Sequence, residues 1–122
     1  MFQKAISKRP VSVRTGFDLR TVMKEMTRDA GSVRKVAIEP MGRVEIGFAA
    51  PVTSGHLVAN GTLRDLPVGS TLVQKTGVFA WNPPPGYFGT YRLAFVINGE
   101  QVLVDVTVSP ETSEPIKGNR NR

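Results

Sequence analysis

The stretch TYRLAFVINGEQVLVDVTV, residues 90–108, decides the fold class of this chain. Apolar residues recur at every second position on both sides of Asn98-Gly99, and this period of two is typical of strands with one buried face. The Asn-Gly pair predicts a tight hairpin turn, because both residues tolerate a positive φ. We therefore expect two antiparallel strands here. The residues expected on one face of the second strand are Val102, Val104, Val106 and Val108.

Similar patterns extend upstream of this hairpin. Residues 43–48 alternate in the same way, a second Asn-Gly pair at residues 60–61 predicts another hairpin, and residues 77–81 form a short apolar strand. Segments around Val11 and around Val36 favour two further strands, the second ended by Pro40. Several short strands separated by turn signals predict an antiparallel sandwich or barrel.

One segment in the first third has a helical pattern. Apolar residues fall there at i, i+3, i+4 and i+7, with Asp18 as an N-cap and Gly31 as a stop. The spacing predicts an amphipathic helical insertion near residues 19–28, packed on the sheet because it is too short to be stable alone. The residues of the apolar stripe are Leu19, Val22, Met23 and Met26.

Length and composition indicate one folded domain. The chain has 122 residues, enough for a hydrophobic core, and its lack of cysteine excludes disulfides, thiolate metal sites and a cysteine nucleophile. We divide it into a basic N-terminal extension over residues 1–10, a β-sandwich domain over residues 11–108 and a polar tail over residues 109–122. No segment has the length and hydropathy of a membrane span.

The segment from residue 63 to residue 108 carries a family resemblance. Its pattern resembles the immunoglobulin-like and cadherin-like repeats of bacterial surface and secreted proteins, which run "L-P-x-G", then "T-G-x-F-x-W-x-P", then "G-x-Y-x-hydrophobic-x-F". The matching residues are Leu66, Pro67, Gly69, Thr76, Gly77, Phe79, Trp81, Pro83, Gly89, Tyr91 and Phe95. The resemblance implies an all-β, immunoglobulin-like antiparallel β-sandwich, and it bears on fold more than on activity.

The same resemblance implies roles for four aromatic residues. It places Tyr91 as a tyrosine corner, whose hydroxyl bonds upstream backbone, and makes residues 83–85 the connection between two core strands. The alternative, a polyproline ligand for a peptide-binding module, lacks the P-x-x-P spacing with a basic flank. The calcium-binding acidic clusters of cadherin-type repeats are absent from the sequence. The expected core aromatic residues are Phe79, Trp81, Tyr91 and Phe95.

The sequence offers no catalytic constellation, and we expect neither an enzyme nor a bound cofactor or metal. Ser54, His56 and Asp65 can be combined on paper into a triad, but no nucleophile elbow or oxyanion site accompanies them. No pair of carboxylates can be assigned to a cleft, and phosphate loops and zinc spacings are missing. The acidic residues of the strand region are Glu39, Glu45, Asp65, Glu100 and Asp105.

Positive charge is concentrated in the first third of the chain. The net charge is +6, and residues 1–36 hold nine Lys/Arg against three acidic residues. This segment is a candidate contact for a partner or an anion. Its basic residues are Lys4, Lys8, Arg9, Arg14, Arg20, Lys24, Arg28, Arg34 and Lys35.

Two functions follow from these patterns. The first is a non-catalytic structural or protein-interaction module of a cell-surface, secreted or particle-forming assembly, with copies of itself or adjacent domains as partners. The alternative is an anion-binding module for nucleic acid or an acidic polymer, whose affinity would fall steeply with salt. Taken alone, the sequence reads as a soluble cytoplasmic chain. If it is a fragment of a longer protein, the signal lies upstream and the location is extracytoplasmic.

Overall fold

A computed structural model describes Ser7, residues 9–29 and residues 31–110 of the chain. Within this part the fold consists of strands, turns and loops. The ten strands are β1 (Ser12–Thr15), β2 (Lys24–Glu25), β3 (Arg34–Ile38), β4 (Val44–Gly47), β5 (Ser54–Ala59), β6 (Thr62–Arg64), β7 (Ser70–Val73), β8 (Val78–Trp81), β9 (Gly89–Ile97) and β10 (Glu100–Val108).

The strands form two five-stranded sheets that pack as a β-sandwich. Sheet 1 has the order β2-β1-β4-β8-β7, and sheet 2 has the order β3-β10-β9-β5-β6. Aromatic rings join the two layers: the ring centroid of Phe95 in sheet 2 lies 4.7 Å from that of Phe48 and 5.3 Å from that of Phe79. All three side chains are fully buried, so the core lies between the sheets. The all-β sandwich prediction is confirmed at this level.

Both Asn-Gly hairpins are confirmed. Asn60 and Gly61 have φ values of 54° and 74° and join β5 to β6, while Asn98 and Gly99 have φ values of 52° and 76° and join β9 to β10. These left-handed conformations are the ones that a two-residue type I′ turn requires. The alternating face of β10 is confirmed as well, since its four valines are at most 1% exposed.

Sheet 2 differs from the purely antiparallel expectation at one edge. β3 pairs in parallel with β10, with Val36 opposite Val106 and Ile38 opposite Val108. Parallel neighbours need a long connection, and here the whole of β4 to β9 lies between them in sequence. The first strands are thereby divided between the two sheets, β1 in sheet 1 and β3 in sheet 2.

Arg34 fixes the beginning of the described chain to this edge of the sandwich. Its buried guanidinium donates from Nη1 to the carbonyl oxygen of Ser7 at 3.0 Å and from Nη2 to that of Arg9. The amide of Ser7 in turn donates to the carbonyl oxygen of Gln101 at 2.8 Å. Burial and the charges of Arg28 and Arg9 lower the pKa of Arg34, and Glu25 opposes this effect. Ser7 and Arg9, assigned to the N-terminal extension, therefore contact the sandwich.

The helical insertion predicted near residues 19–28 is wrong, because the described residues of this segment form a turn and the short strand β2. Asp18 accepts a hydrogen bond from the amide of Arg20, two residues later, rather than from a helical turn. Leu19 and Val22 are 65% and 76% exposed, and only Met26 of the supposed apolar stripe is buried. The amide of Met26 donates to the carbonyl of Val11, so the segment pairs with a strand instead of packing as a helix.

Gly77 closes the connection between β7 and β8. It has a φ of 72°, its amide donates to the carbonyl of Val73, and its carbonyl accepts from the amide of Phe48. A Cβ atom at this position would lie far inside van der Waals contact with the carbonyl oxygen of Ala50. The backbone can take this path only because glycine has no side chain.

Candidate functional site

Four exposed apolar side chains stand on loops at one end of the sandwich, and we call this surface the apolar end. Exposed large hydrophobic residues of the described chain number eight, of which these four are between 54% and 68% exposed. The other four lie in the loop after β1, on β6 and on β7. The members of the apolar end are Phe17, Met41, Val68 and Phe88.

Strand register places the four residues at the same end. In sheet 1, Thr15, Val44, Trp81 and Ser70 form one row across β1, β4, β8 and β7. In sheet 2, the corresponding terminal row consists of Ile38, Val108 and Gly89. Phe17, Met41, Val68 and Phe88 all belong to the loops that continue just beyond these rows.

Trp81 holds the loop that carries Val68. The Trp81 indole is 1% exposed, and its Nε1–H donates to the carbonyl oxygen of Val68 at 2.9 Å. The indole packs edge to face against the rings of Tyr91 and Tyr87, at centroid distances of 5.3 and 6.1 Å. One buried side chain therefore joins the two sheets and fixes an exposed loop above them.

Tyr91 holds the loop that carries Phe88. Its hydroxyl donates to the carbonyl oxygen of Phe88 at 2.8 Å, while its partly buried ring packs against Trp81 and Tyr87. The preceding prolines complete this connection: Pro83 is buried, Pro85 is exposed, and the carbonyl of Pro84 accepts from the amide of Tyr87 at 3.3 Å. The segment 83–88 is a folded corner whose first proline packs inward.

Asn82 fixes the third loop. Its Nδ2 donates to the carbonyl oxygens of Met41 at 3.1 Å and of Gly42 at 2.6 Å, which lie forty-one and forty residues earlier in the chain. Met41 has a φ of 59°, a left-handed conformation that is uncommon for a residue with a side chain. The Asn82 amide thus supports a turn that would otherwise be strained. Side chains of the segment 81–91 therefore bond the backbone carbonyls of all three loop residues, Met41, Val68 and Phe88.

A pocket of about 360 Å³ opens beside Phe17. Phe17, Ala37 and Ile38 supply apolar walls, and Glu39 and Arg43 supply charged groups. The amide of Gly16 donates to the carbonyl of Arg43 at 2.8 Å, which holds the loop after β1 against the start of β4. This volume lies at the lower end of the range for small-ligand pockets, about 300–1,000 Å³.

An ion pair supports the loop that follows Phe17. Arg14 donates from Nη2 to Oε1 of Glu45 at 2.6 Å and from Nη1 to the carbonyl oxygens of Leu19 and Thr21. Arg43 donates to the same Oε1 at 3.1 Å. The hydrogen bond from Arg14 is the main cause that lowers the pKa of Glu45, with Arg43 adding to it against the opposing effect of burial. Arg43 therefore shares the single carboxylate of Glu45 with Arg14, and the pocket's own carboxylate, Glu39, is exposed.

The four aromatic residues expected in the core lie at the centre of the molecule or just below the apolar end. Phe79, Trp81 and Phe95 are at most 1% exposed, and Tyr91 is partly buried. The residues that form the apolar end itself were missed. Single apolar residues in loops give no periodic signal, and their grouping depends on strand register.

The basic residues of the first third serve different purposes. Lys4 and Lys8 lie outside the described residues. Arg34 is buried, Arg9 and Arg14 are partly buried, and Arg20 and Lys35 pair with Asp18 and Asp29 at 3.1 and 3.6 Å. Lys24 and Arg28 are exposed. The described members are distributed over loops and over both sheets rather than forming one row on a strand.

The Ser-His-Asp combination considered from the sequence does not form a triad in the structure. Ser54 and His56 lie on β5, Asp65 follows β6, and in the described part of the chain no hydrogen bond joins the three side chains. Residues 9–29 and 31–110 hold no cluster of three or more His, Asp or Glu side chains that could bind a metal ion. No helix long and apolar enough to cross a membrane occurs among the residues that the structure describes.

No protein-family model, curated protein or solved structure matches this chain significantly. The immunoglobulin-like and cadherin-like resemblance of residues 63–108 therefore stays a prediction.

Proposed function

We propose that this chain is an immunoglobulin-like β-sandwich that acts as a non-catalytic structural and protein-interaction module of a cell-surface, secreted or particle-forming assembly. It docks to neighbouring protein, including copies of itself, through the apolar end. The observation that carries the proposal is that exposed apolar side chains stand on loops whose backbone is fixed from below by Trp81, Asn82 and Tyr91.

Strand order supports the immunoglobulin-like part of the proposal. Taking β1, β4, β8 and β7 as strands A, B, E and D, and β10, β9, β5 and β6 as G, F, C and C′, the two sheets follow the immunoglobulin arrangement. The bond from the Tyr91 hydroxyl to Phe88, three residues upstream in the corner before β9, matches a tyrosine corner. Two departures are the missing inter-sheet disulfide and a buried Trp81 on β8 rather than on β5.

The order of the loops that carry the exposed apolar side chains favours a role in binding another protein. A side chain in water gains by burying apolar area, about 25 cal/mol per Å², but a mobile loop loses much of that gain when it is ordered by binding. At the apolar end the loops are already ordered in the free chain. The carbonyls of Met41, Val68 and Phe88 each accept a hydrogen bond from a side chain of the segment 81–91. A preorganised apolar surface is what a protein interface needs at its centre.

The test is the size of the chain in solution before and after the apolar end is made polar. We expect light scattering to show self-association of the full chain over a micromolar to millimolar concentration series. The double variant Val68→Asp, Phe88→Asp should be monomeric, because both side chains are more than half exposed and can be changed without disturbing the core.

The matched control carries the same charge change at exposed residues of the opposite end. Val73 on β7 is 47% exposed and lies at the other end of its strand from Ser70, and the exposed Asn98 lies in the β9–β10 turn, so Val73→Asp, Asn98→Asp should associate like the unmodified chain. A chain that is monomeric throughout the series, or one that both double variants affect equally, contradicts docking through this end.

A further inference from the structure

Three arginines of the first third meet at the beginning of β3, and we call them the arginine cluster. Arg28 forms an isolated antiparallel bridge with Arg34. The carbonyl oxygen of Arg9 accepts a hydrogen bond from Nη2 of Arg34, so Arg9 lies against the same residue. Arg34 pairs with Val104, whereas the terminal row below the apolar end contains Val108. The cluster is therefore separate from the apolar end, by about 13 Å along β10 at about 3.3 Å per residue.

The members of the cluster differ in burial. Arg34 is fully buried, Arg9 is half-buried and Arg28 is exposed. The Arg34 guanidinium donates to the carbonyl oxygens of Ser7 and Ser32 as well as to that of Arg9. The Nε atoms of Arg9 and Arg34 are both buried and have no hydrogen-bond partner. A ligand can reach Arg9 and Arg28 from solvent, with the buried charge of Arg34 behind them.

The nearest carboxylates do not pair with this cluster's inner members. Within residues 9–29 and 31–110, neither Arg9 nor Arg34 forms an ion pair. Asp29 pairs with Lys35 at 3.6 Å instead, and it accepts hydrogen bonds from amides of its own loop. Lys35 and Arg34 are neighbours on β3, so their side chains point to opposite faces of the sheet. Asp29 is therefore engaged on the other side of the strand.

The electrostatics of Arg34 reflect this arrangement. Burial is the main cause that lowers the pKa of Arg34, and the charges of Arg28 and Arg9 lower it further. Glu25 raises the pKa of Arg34, but its effect does not cancel the others. Like charges therefore repel one another within the cluster. An anion bound beside Arg9 would reduce this repulsion.

Arg14 provides a comparison within the same molecule. Its Nε is also buried without a hydrogen-bond partner, but its Nη2 donates to Oε1 of Glu45 at 2.6 Å. Arg14 thus has a carboxylate beside its charge, which Arg9 and Arg34 lack in the part of the chain that the structure describes. Buried polar groups without a partner are uncommon in proteins, and a bound ion is one explanation for them. A bound oxyanion would supply both the acceptor oxygens and the negative charge.

We infer that the arginine cluster binds the phosphate group of a phosphomonoester. Guanidinium groups bind phosphate oxygens through paired N–H donors. A phosphomonoester carries a charge of about −1.5 to −2 at neutral pH, which balances the two positive charges of Arg9 and Arg34. Each phosphodiester of a nucleic-acid backbone carries only one negative charge. The charge balance therefore favours a monoester over a nucleic-acid backbone.

NMR titration of the full-length, ¹⁵N-labelled chain tests this inference. The probes are inorganic phosphate, methyl phosphate and dimethyl phosphate, each added at constant ionic strength maintained with sodium chloride. We expect inorganic phosphate and methyl phosphate to shift the Nε–H signals of Arg9 and Arg34 in a saturable way. Dimethyl phosphate should bind at least about tenfold more weakly, because it carries a single charge.

Two substitutions and a matched control locate the site. Arg9→Gln and Arg28→Gln should each weaken methyl phosphate binding at least about tenfold, because each removes a charge-assisted donor. Arg64→Gln removes the same type of side chain from an exposed position on β6, at the opposite edge of sheet 2, and should leave the affinity unchanged. Circular dichroism of each variant checks that the sandwich is retained.

Three results would overturn the inference. Equal weakening by Arg64→Gln and Arg9→Gln would mean that phosphate responds only to the overall positive charge. Equal affinity for methyl phosphate and dimethyl phosphate would mean that the cluster recognises a phosphodiester backbone. A tenfold or greater rise in affinity in Glu111→Gln, Glu114→Gln would mean that carboxylates of the tail are the ligand. Docking through the apolar end does not depend on any of these results.

Discussion

Replacing Trp81 with Phe tests whether the core indole supports the apolar end. The substitution keeps an aromatic ring against Tyr91 and Tyr87 but removes the Nε1–H that bonds Val68. Leaving the Val68 carbonyl without its donor costs about 1 kcal/mol, and removing three ring atoms from a fully buried site costs about 2 kcal/mol. We expect the free energy of unfolding to fall by about 3 kcal/mol in total, a large part of the stability of a domain this size.

Urea unfolding followed by far-ultraviolet circular dichroism measures this change. Fluorescence is unsuitable because Trp81 is the only tryptophan. With an m value near 1.5 kcal/mol/M, a loss of about 3 kcal/mol lowers the urea midpoint by about 2 M. Amide hydrogen exchange at residues 68–70 should also become faster, because the loop has lost its anchor.

Phe79→Leu is the matched control for this experiment. It also removes three heavy atoms from a fully buried aromatic residue of β8, but Phe79 makes no side-chain hydrogen bond. Its cost should be about 2 kcal/mol, with no change in exchange at residues 68–70. If Trp81→Phe costs less than about 1 kcal/mol, or if both variants affect exchange equally, the indole does not hold the Val68 loop.

Three further predictions concern single contacts. Tyr91→Phe should lower the free energy of unfolding by about 0.5–1.5 kcal/mol, because only the bond to Phe88 is lost, and urea unfolding measures it; no change would mean that water replaces the bond fully. Arg34→Met should speed hydrogen exchange at Ser7 more than at Val104, since Ser7 loses a donor while the core packing stays; equal protection would show that Gln101 alone holds the segment. Glu45 has a folded pKa below its unfolded value, so its stabilisation is present above the unfolded pKa near 4.5 and is lost as the pH falls through the folded pKa. Urea midpoints measured over a series of acidic pH values should therefore fall less steeply in Glu45→Gln than in the unmodified chain. An equally steep fall would mean that other carboxylates cause the loss of stability in acid.

Local signals predicted the hairpins well and the insertion poorly. The Asn-Gly turns depend on two residues that favour positive φ, so neighbouring sequence contains most of the information. The residues from Leu19 to Met26 match a helical period, yet the backbone of the segment bonds the Val11 carbonyl and the Arg14 guanidinium, which no local pattern reveals. β7 was missed because a single partly buried Leu72 between Thr71 and Val73 gives too short an alternation.

The candidate site could not be predicted from sequence because its parts are distant. The spacing of the aromatic residues between positions 79 and 95 predicted their place in the core. The sequence did not indicate which carbonyl oxygens their polar groups would bond. Asn82 reaches back forty and forty-one residues to Gly42 and Met41, and Trp81 reaches thirteen residues to Val68. Only the pairing of strands in two sheets brings these loops to one end, and pairing depends on long-range register.

The geometry at Gly77 sets a rule for recognising diverged relatives. Its positive φ and its closeness to the Ala50 carbonyl forbid every side chain at that point, whatever the rest of the sequence does. A homologue could exchange most surface residues and still fold, but it would have to keep this glycine two positions before a buried aromatic residue and four before the next. The surrounding loops can change in sequence, whereas this position requires glycine. We therefore expect Gly77 to identify related sequences better than any residue of the apolar end.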